Sequence, residues 1–387
     1  MLGVTEILSW GALFYPPVLT VPLIAADRGW SKSFAMGGFS VGLLVGGLVS
    51  RHIGALIDRF GGHVVMPVGS LIGAAGLIGI VLARNSTSYY AVWMVLGVAM
   101  ASSLYDPAFA TLGRIFGRNA RAPITTLTLA GGFASTVSWP ATQILIDTIG
   151  WRGAYLVYAA LLALVAAPLH AFALPRQRVP QVTDIKAGGE PMAAPEPKPA
   201  SVLAPHGLVF LLVAAAFSFY AFVPSALSAQ LLAIFQRFGL APATVVAIGM
   251  LFGPAQVLAR ICELGFARQV HPLWVARFSV GLLVAAFALL MLLHFSALLA
   301  ACFAVMYGMA NGLMTIARGT VPLALFGASG YGRLMGRIGG PFLIVQAVAP
   351  VCLSYVAERA SDRAALAVVA AFAAAALLCF AAMRRPE

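Results

Sequence analysis

Charge is what this 387-residue chain has least of: Asp, Glu, Lys and Arg together make up 9% of it, with 12 acids against 24 basic residues. A soluble domain carries about 25% charged residues, so a water-facing surface is excluded, and with it a soluble enzyme or a disordered protein. Cysteine is also scarce. Cys262, Cys302, Cys352 and Cys379 show no C-x-x-C spacing, which excludes a disulfide scaffold and a thiolate metal site. All four lie in apolar runs and are expected to pack as small buried residues. There is no G-x-x-x-x-G-K-[ST] and no H-E-x-x-H, and the six histidines are scattered. No metal, cofactor or nucleotide site is expected, so neither ATP-driven transport nor membrane hydrolysis is supported.

What is present is apolar. Hydrophobic residues make up 61% of the chain and the mean hydropathy is +0.95, as in an all-α membrane protein. The net charge of +12 then reads as basic cytoplasmic loops rather than a nucleic-acid surface. A helix needs about 20 apolar residues to cross the hydrocarbon core. Runs of that kind predict twelve spans, at 3–25, 34–57, 64–82, 89–116, 124–146, 152–174, 207–235, 243–266, 274–294, 297–325, 336–357 and 364–383. The first run has no basic flank or small-residue cleavage site and is expected to be a retained span rather than a signal peptide.

With both termini placed in the cytoplasm, fifteen of the 24 Lys and Arg residues fall on that side and seven on the other, as the positive-inside rule requires. Segment 175–206 holds seven prolines and reads as a flexible cytoplasmic linker. It separates an N-terminal six-helix half (1–174) from a C-terminal one (207–387), the layout of a duplicated transporter. Arginine far outnumbers lysine, which points to a GC-rich bacterial source and an inner-membrane location. Prolines 16, 17, 107, 140, 254 and 322 are expected mostly to kink the spans they occupy.

Between the second and third spans runs Gly54-Ala55-Leu56-Ile57-Asp58-Arg59-Phe60-Gly61-Gly62-His63. This resembles the loop signature of the major facilitator superfamily, G-x-x-x-D-R-x-G-R-[RK], with Gly54, Asp58, Arg59 and Gly61 matching and Gly62-His63 departing from its basic end. Gly29-Trp30-Ser31-Lys32-Ser33 and Gly150-Trp151-Arg152 are similar to stretches of the same superfamily, the first in its monocarboxylate porter and oxalate–formate branch. The resemblance implies a twelve-helix fold in two six-helix halves and alternating access. It also implies that Asp58 pairs with Arg114 and faces a helix N-terminus of the other half, closing the cytoplasmic side. The alternative is a hydrated turn with glycines supplying unusual backbone angles.

Ionisable groups at bilayer depth are costly, about 2.5–3.5 kcal/mol each on insertion scales, and four stand out. Asp106, in Tyr105-Asp106-Pro107, lies about 15 Å above the inner end of its span at 1.5 Å per residue. Arg318 lies slightly shallower in the tenth span. By the resemblance both helices line one cavity, so the two are expected to pair across it, either as a proton site or as a static clamp. Arg260 resembles the eighth-span arginine that binds carboxylate in monocarboxylate porters. Gln256 stands where those often have Asp, and no Lys occurs in the first span. Its alternative is mutual neutralisation with Glu263, three residues on. Glu6 is read either as a second coupling acid or as an acid near the membrane surface complementing its helix dipole. Among cavity-side polar and aromatic residues, Tyr15, Tyr105, Tyr220 and Asn311 are candidate substrate contacts, with Trp10, Phe219 and Tyr307 beside them.

These residues point to a proton-coupled secondary transporter for a small organic anion such as a monocarboxylate, acting as a monomer, with lipid, substrate and protons as its partners. An efflux antiporter for amphipathic compounds is the alternative, and a transporter-like sensor or membrane enzyme a remote one.

Overall fold

The computed structural model describes residues 1–176, 207–266, 270–292 and 294–383, and among them every regular element is a helix. Most of the expected 175–206 linker lies outside these residues. The first span is two helices, α1 (Leu2–Leu13) and α2 (Pro17–Arg28), parted by Phe14–Pro16. Proline has no N–H and its ring displaces the carbonyl four residues back, so Pro16-Pro17 breaks the helix and restarts it rather than kinking it. Next come α3 (Lys32–Phe60) and α4 (Gly62–Leu82).

The stretch Ser86–Ala173 is 88 helical residues long. At 1.5 Å per residue it is several times the membrane thickness, so it must cross more than once, and its breaks leave room for the three crossings expected there. It contains α5 (Ser86–Ser103), α6 (Tyr105–Phe116), a 3-10 turn (Gly117–Ala120), α7 (Arg121–Gly131), α8 (Ala134–Leu161), a π turn (Leu162–Ala166) and α9 (Ala167–Ala173). Within α8 the path turns at Gly150, whose φ of 72° suits only a residue without a Cβ. After the undescribed segment come α10 (Gly207–Arg237), α11 (Pro242–Gly249), α12 (Phe252–Phe266), α13 (Pro272–Leu292), α14 (Ala297–Phe326), α15 (Tyr331–Arg359) and α16 (Asp362–Ala382). Ten helical stretches among the described residues are long and apolar enough to cross a membrane, and grouped at the breaks the elements are consistent with the twelve expected spans.

Polar residues start the helices where the sequence supplies them. Ser31, Ser296 and Ser361 accept backbone N–H bonds at the starts of α3, α14 and α16, and Asn85 with Ser88 forms a capping box on α5. Each cap contributes about 1 kcal/mol. Near one end of the bundle, Arg152 bridges Asp27 and Arg237 grips Asp362 through two nitrogens. These exposed pairs tie α8 to α2 and α10 to α16.

Helices approach closely through small residues. Gly42 and Gly46 face Trp93 and Gly97 of α5, and Gly69 faces Ser102 and Ser103. The longest such seam joins α3 to α15, where Gly47, Ser50 and Gly54 meet Gly340, Gly336 and Gly332 backbone to backbone. Helices before residue 176 pack on those after 207 chiefly through α3, α6, α7 and the 3-10 turn, against α12, α14 and α15. Among the described residues α2, α5 and α8 make no comparable approach to α10–α16. The two groups therefore meet at the end that carries Asp58 and separate toward the other.

Three expectations are corrected. The eleventh span starts at Tyr331 rather than 336. Its added turn is polar in sequence, and it is helical because Tyr331 is buried, with its hydroxyl donating to the Gly319 carbonyl. Cys262, Cys302 and Cys352 are exposed and Cys379 half-buried. They lie on the outward, lipid-side surface of apolar helices, where a small apolar side chain is as well accommodated as in a core. Glu6 is fully buried among the helices in the second turn of α1, and no acid occupies that helix's first turn. A role in complementing the helix dipole is thereby removed.

Candidate transport site and its closed end

The break between α5 and α6 builds the centre of the site. Pro107 prevents a continuous helix past Leu104, which takes extended angles (φ −94°, ψ −161°). Asp106 is thereby placed in the first turn of a new helix, where the dipole favours a carboxylate. Its Oδ2 accepts a hydrogen bond from Arg318 Nη2 of α14 at 2.5 Å, with both side chains mostly buried. The Arg318 guanidinium also lies on the Phe342 ring, 3.4 Å from its centroid. Gly339 of α15 leaves the room this needs, since a Cβ there would sit 2.5 Å from Asp106 Oδ2. Asp106 Oδ1 and Arg318 Nε have no protein partner among the described residues. The structure thus brings together the two charges that depth and the resemblance had matched.

Arg260 is arranged differently. It is 3% exposed, and its Nε and Nη2 reach the Gly312 carbonyl and Thr315 hydroxyl only at 3.4 Å. Nη1 has no partner among the described residues and points at Gly132, where α7 breaks from α8. Neutralisation by Glu263 is not what the structure holds. The Glu263 carboxylate, 2% exposed, accepts from Arg121 Nη2 at 2.9 Å and from the Thr125 hydroxyl at 3.2 Å, both on α7. Arg260 is left with a buried, incompletely bonded guanidinium.

Around it stand the tyrosines expected at the cavity. Tyr15, Tyr105 and Tyr220 lie within electrostatic reach of Arg260. Tyr220 donates to Asn311 Oδ1 at 2.6 Å, and the Thr315 hydroxyl bonds the Asn311 carbonyl one turn back, which links α10 to the Arg260 side of α14. Tyr105 stacks on Phe109 and lies 4.9 Å from the Trp10 ring, with Tyr15 6.0 Å from Trp10. Trp10 Nε1 donates to Glu6 Oε2 at 3.0 Å, while Glu6 Oε1 is buried without a partner among the described residues. Tyr307 packs edge-on against Phe252, 5.3 Å away. The arrangement offers one cation and a wall of aromatic faces and hydroxyls, suited to a small anion with an apolar body.

Between Asp106 and the Asp58 end lies a void of about 10 Å³ lined by residues of α3, α5, α6 and α15, room for about one water. There the Asp58 carboxylate accepts from the backbone N–H groups of Gly332 and Arg333, each at 2.8 Å, in the first turn of α15. Arg114 does not meet that carboxylate, contrary to the pairing the resemblance implied. Its Nη1 donates to the backbone carbonyls of Ile57 and Asp58, so it holds the end of α3 in place. Arg59 is exposed beside the Phe60 ring. Gly61, at φ 87°, turns the chain into α4, and Gly54 lets the Gly332 carbonyl approach. The sequence reading missed the Arg121–Glu263 contact. It joins α7 to α12 and is extended by Arg121 Nη1 donating to the Val270 carbonyl at 2.5 Å.

The sequence model of the Major Facilitator Superfamily matches residues 2–336. Mouse monocarboxylate transporter 11 is 30% identical over 136 residues, which is 35% of this chain and 29% of that protein. Rat monocarboxylate transporter 3 is 34% identical over 113 residues, 28% of this chain and 22% of that one. The aligned part thus spans less than a third of either relative. The solved structure of the human organic anion transporter MFSD10 (TETRAN) superposes with a TM-score of 0.71 at 17% identity, covering 98% of this chain and 96% of that chain. The proton:xylose symporter XylE superposes with a TM-score of 0.71 at 10% identity, covering 97% and 93%. At these identities the two structures establish a shared fold.

Proposed function

The chain belongs to the Major Facilitator Superfamily and is a multi-pass membrane transporter, and we propose that it moves a small organic anion, of the monocarboxylate class, together with a proton. The observation that carries this reading is Arg260: a buried guanidinium with an unpartnered Nη1 at a helix break, facing tyrosines from other helices. Guanidinium presents a planar fork that fits the two oxygens of a carboxylate, and leaving such a donor buried and unpaired is costly. Arg318, whose charge is engaged by Asp106, is the weaker anion site in this conformation. The names of the mouse and rat relatives support the choice of anion.

Asp106 takes the proton. When it is protonated the ion pair loses its charge attraction, and Arg318 becomes available to an incoming carboxylate; when the proton leaves, the pair re-forms and the anion is released. Glu6, buried with a free Oε1 and within electrostatic reach of Asp106, is a second carboxylate along the same route. The Asp58 end lies at the cytoplasm of a bacterial inner membrane, a placement supported by the basic residues gathered there and by the arginine-rich composition. Residues 1–174 and 207–387 act as two six-helix halves rocking about the site, within a monomer.

The test is uptake of radiolabelled pyruvate, lactate and acetate into proteoliposomes under an imposed pH gradient. Arg260→Gln is expected to abolish saturable uptake, and Arg260→Lys to keep part of it at a raised KM. Asp106→Asn is expected to lose gradient-driven accumulation while retaining anion exchange. Unchanged uptake by Arg260→Gln would discard the site.

A further inference from the structure

A further recess lies away from the transport site, on the outer flank of the α3–α15 seam. It is an open groove of about 720 Å³ between α3, α10 and α15. Arg51, Arg333 and Arg337 line it, with Phe210 at its side and Leu48 and Ile344 along its length. All three arginines are exposed. Among the described residues none of their side chains donates a hydrogen bond or joins an ion pair; Arg337 only approaches the Phe210 ring, 5.9 Å from its centroid. Asp58 is the nearest acid of the seam, and it binds the backbone of Arg333 rather than its guanidinium.

Three like charges gathered in one recess repel one another, and Arg333 and Arg337, one turn apart on α15, do so along a single helix face. The groove is also amphipathic along its axis. Arg333 sits in the first turn of α15, and Leu48 and Ile344 lie two to three turns deeper, where the chain is in hydrocarbon. A free phosphate would use only the charged end. We propose that this groove binds an anionic phospholipid, its phosphate held by Arg51, Arg333 and Arg337 and one acyl chain laid along Leu48 and Ile344. Guanidinium forks suit phosphate oxygens, and basic recesses between membrane helices at the cytoplasmic level select anionic headgroups. Arg51 stands on α3 and the other two on α15, so a bound lipid bridges the helices whose contact closes the Asp58 end. The lipid therefore favours the closed arrangement and leaves when the seam parts.

Native mass spectrometry of the full chain in detergent tests this, with phosphatidylglycerol and phosphatidylcholine of identical acyl chains, and with glycerol 3-phosphate and inorganic phosphate as headgroup probes. Phosphatidylglycerol is expected to give a saturable single adduct that phosphatidylcholine and the two free phosphates do not give. At roughly one favourable contact per basic residue near the surface, affinity should fall about fivefold for each arginine removed and about a hundredfold for R51Q/R333Q/R337Q. Arg118→Gln, an exposed arginine elsewhere on the same end, should leave the adduct unchanged. The single variants keep the test open if the triple variant is poorly folded. Equal phosphatidylglycerol binding by wild type and the single variants, or inorganic phosphate binding as tightly as the lipid, would overturn the proposal.

Discussion

Asp58→Asn is the most informative single change at the closed end. The carboxylate accepts two backbone N–H bonds at 2.8 Å from the first turn of α15, and these exist only while α3 and α15 are together. A hydrogen bond to a charged acceptor contributes about 1.5–3 kcal/mol, and water will replace part of this when the end opens. Asparagine keeps one acceptor and loses the charge, so closure should weaken by about 2 kcal/mol, roughly thirtyfold in the closed-to-open ratio. Alanine loses both bonds and should weaken it by about 3 kcal/mol. Arg114, which grips backbone carbonyls, keeps the end of α3 ordered in either variant. Spin-label distances measure the ratio directly. Labels at Arg118→Cys and Ser329→Cys, both exposed at this end, in a background lacking the four native cysteines, should show one short distance in the wild type. Asp58→Asn should add a longer population, and labels at Asn85→Cys and Ala360→Cys on the opposite end should move closer in step. Unchanged distributions at both ends, in a variant that melts like wild type, would refute the latch.

Glu263→Gln removes the charge that Arg121 and Thr125 share. It should open the same end by a similar amount, adding to Asp58→Asn in the same distance measurement because the two contacts join different helix pairs. Gly54→Val places a side chain against the Gly332 carbonyl and should lower thermal stability by about 1–3 kcal/mol through overpacking, read as a drop in Tm; an unaltered Tm would mean the seam is looser than described. For the central ion pair, Asp106→Asn alone strands the buried Arg318 charge and should destabilise by about 3–5 kcal/mol, whereas adding Arg318→Gln should recover most of that. Stability recovered with transport still absent marks the pair as part of the transport chemistry, while normal uptake by the double variant marks it as a static clamp.

The apolar runs made the spans legible because lipid demands a full-length apolar helix and tolerates little else. The Asp106–Arg318 contact was legible as well, since helix rise converts residue number into depth and the resemblance put their two helices on one cavity. That Asp58 faces a helix N-terminus of the other half was legible from the resemblance, but not which amides meet it, because backbone donors have no letter in a sequence. They became donors only when α15 began at Tyr331, a turn whose glycines and arginine read as loop. Arg121 and Glu263 were hidden by a nearer decoy: Arg260 sits three residues from Glu263, and only packing reveals that α7 supplies the partner. The burial of Glu6 was not legible, because a position early in a span says nothing of the face it lies on, and Trp10, one turn on, covers it within the bundle. The exposure of Cys262, Cys302 and Cys352 could not be read from composition, because lipid-facing and core-facing surfaces are equally apolar.

A transporter end must seal completely and yet open in every cycle, and the α3–α15 seam has the composition for both. Gly47, Ser50 and Gly54 against Gly332, Gly336 and Gly340 let the backbones touch, which excludes water and substrate. Those residues carry almost no apolar side-chain area, and at about 25 cal/mol per Å² parting them exposes little that water opposes. A seam of interlocked leucines would seal equally well and would be far harder to reopen. Beside the apolar packing of Phe109, Leu112 and Ile124 with residues of α14 and α15, closure draws on a few polar contacts, Asp58 on the α15 amides and Glu263 with Arg121 and Thr125, each of which water can largely replace on opening. Their net contributions, about 1 kcal/mol for a neutral hydrogen bond and more for a charged one, are of the size that the proposed binding of a proton at Asp106 or an anion at Arg260 could overcome. That match in magnitude is what lets events at the centre of the bundle decide which end is open.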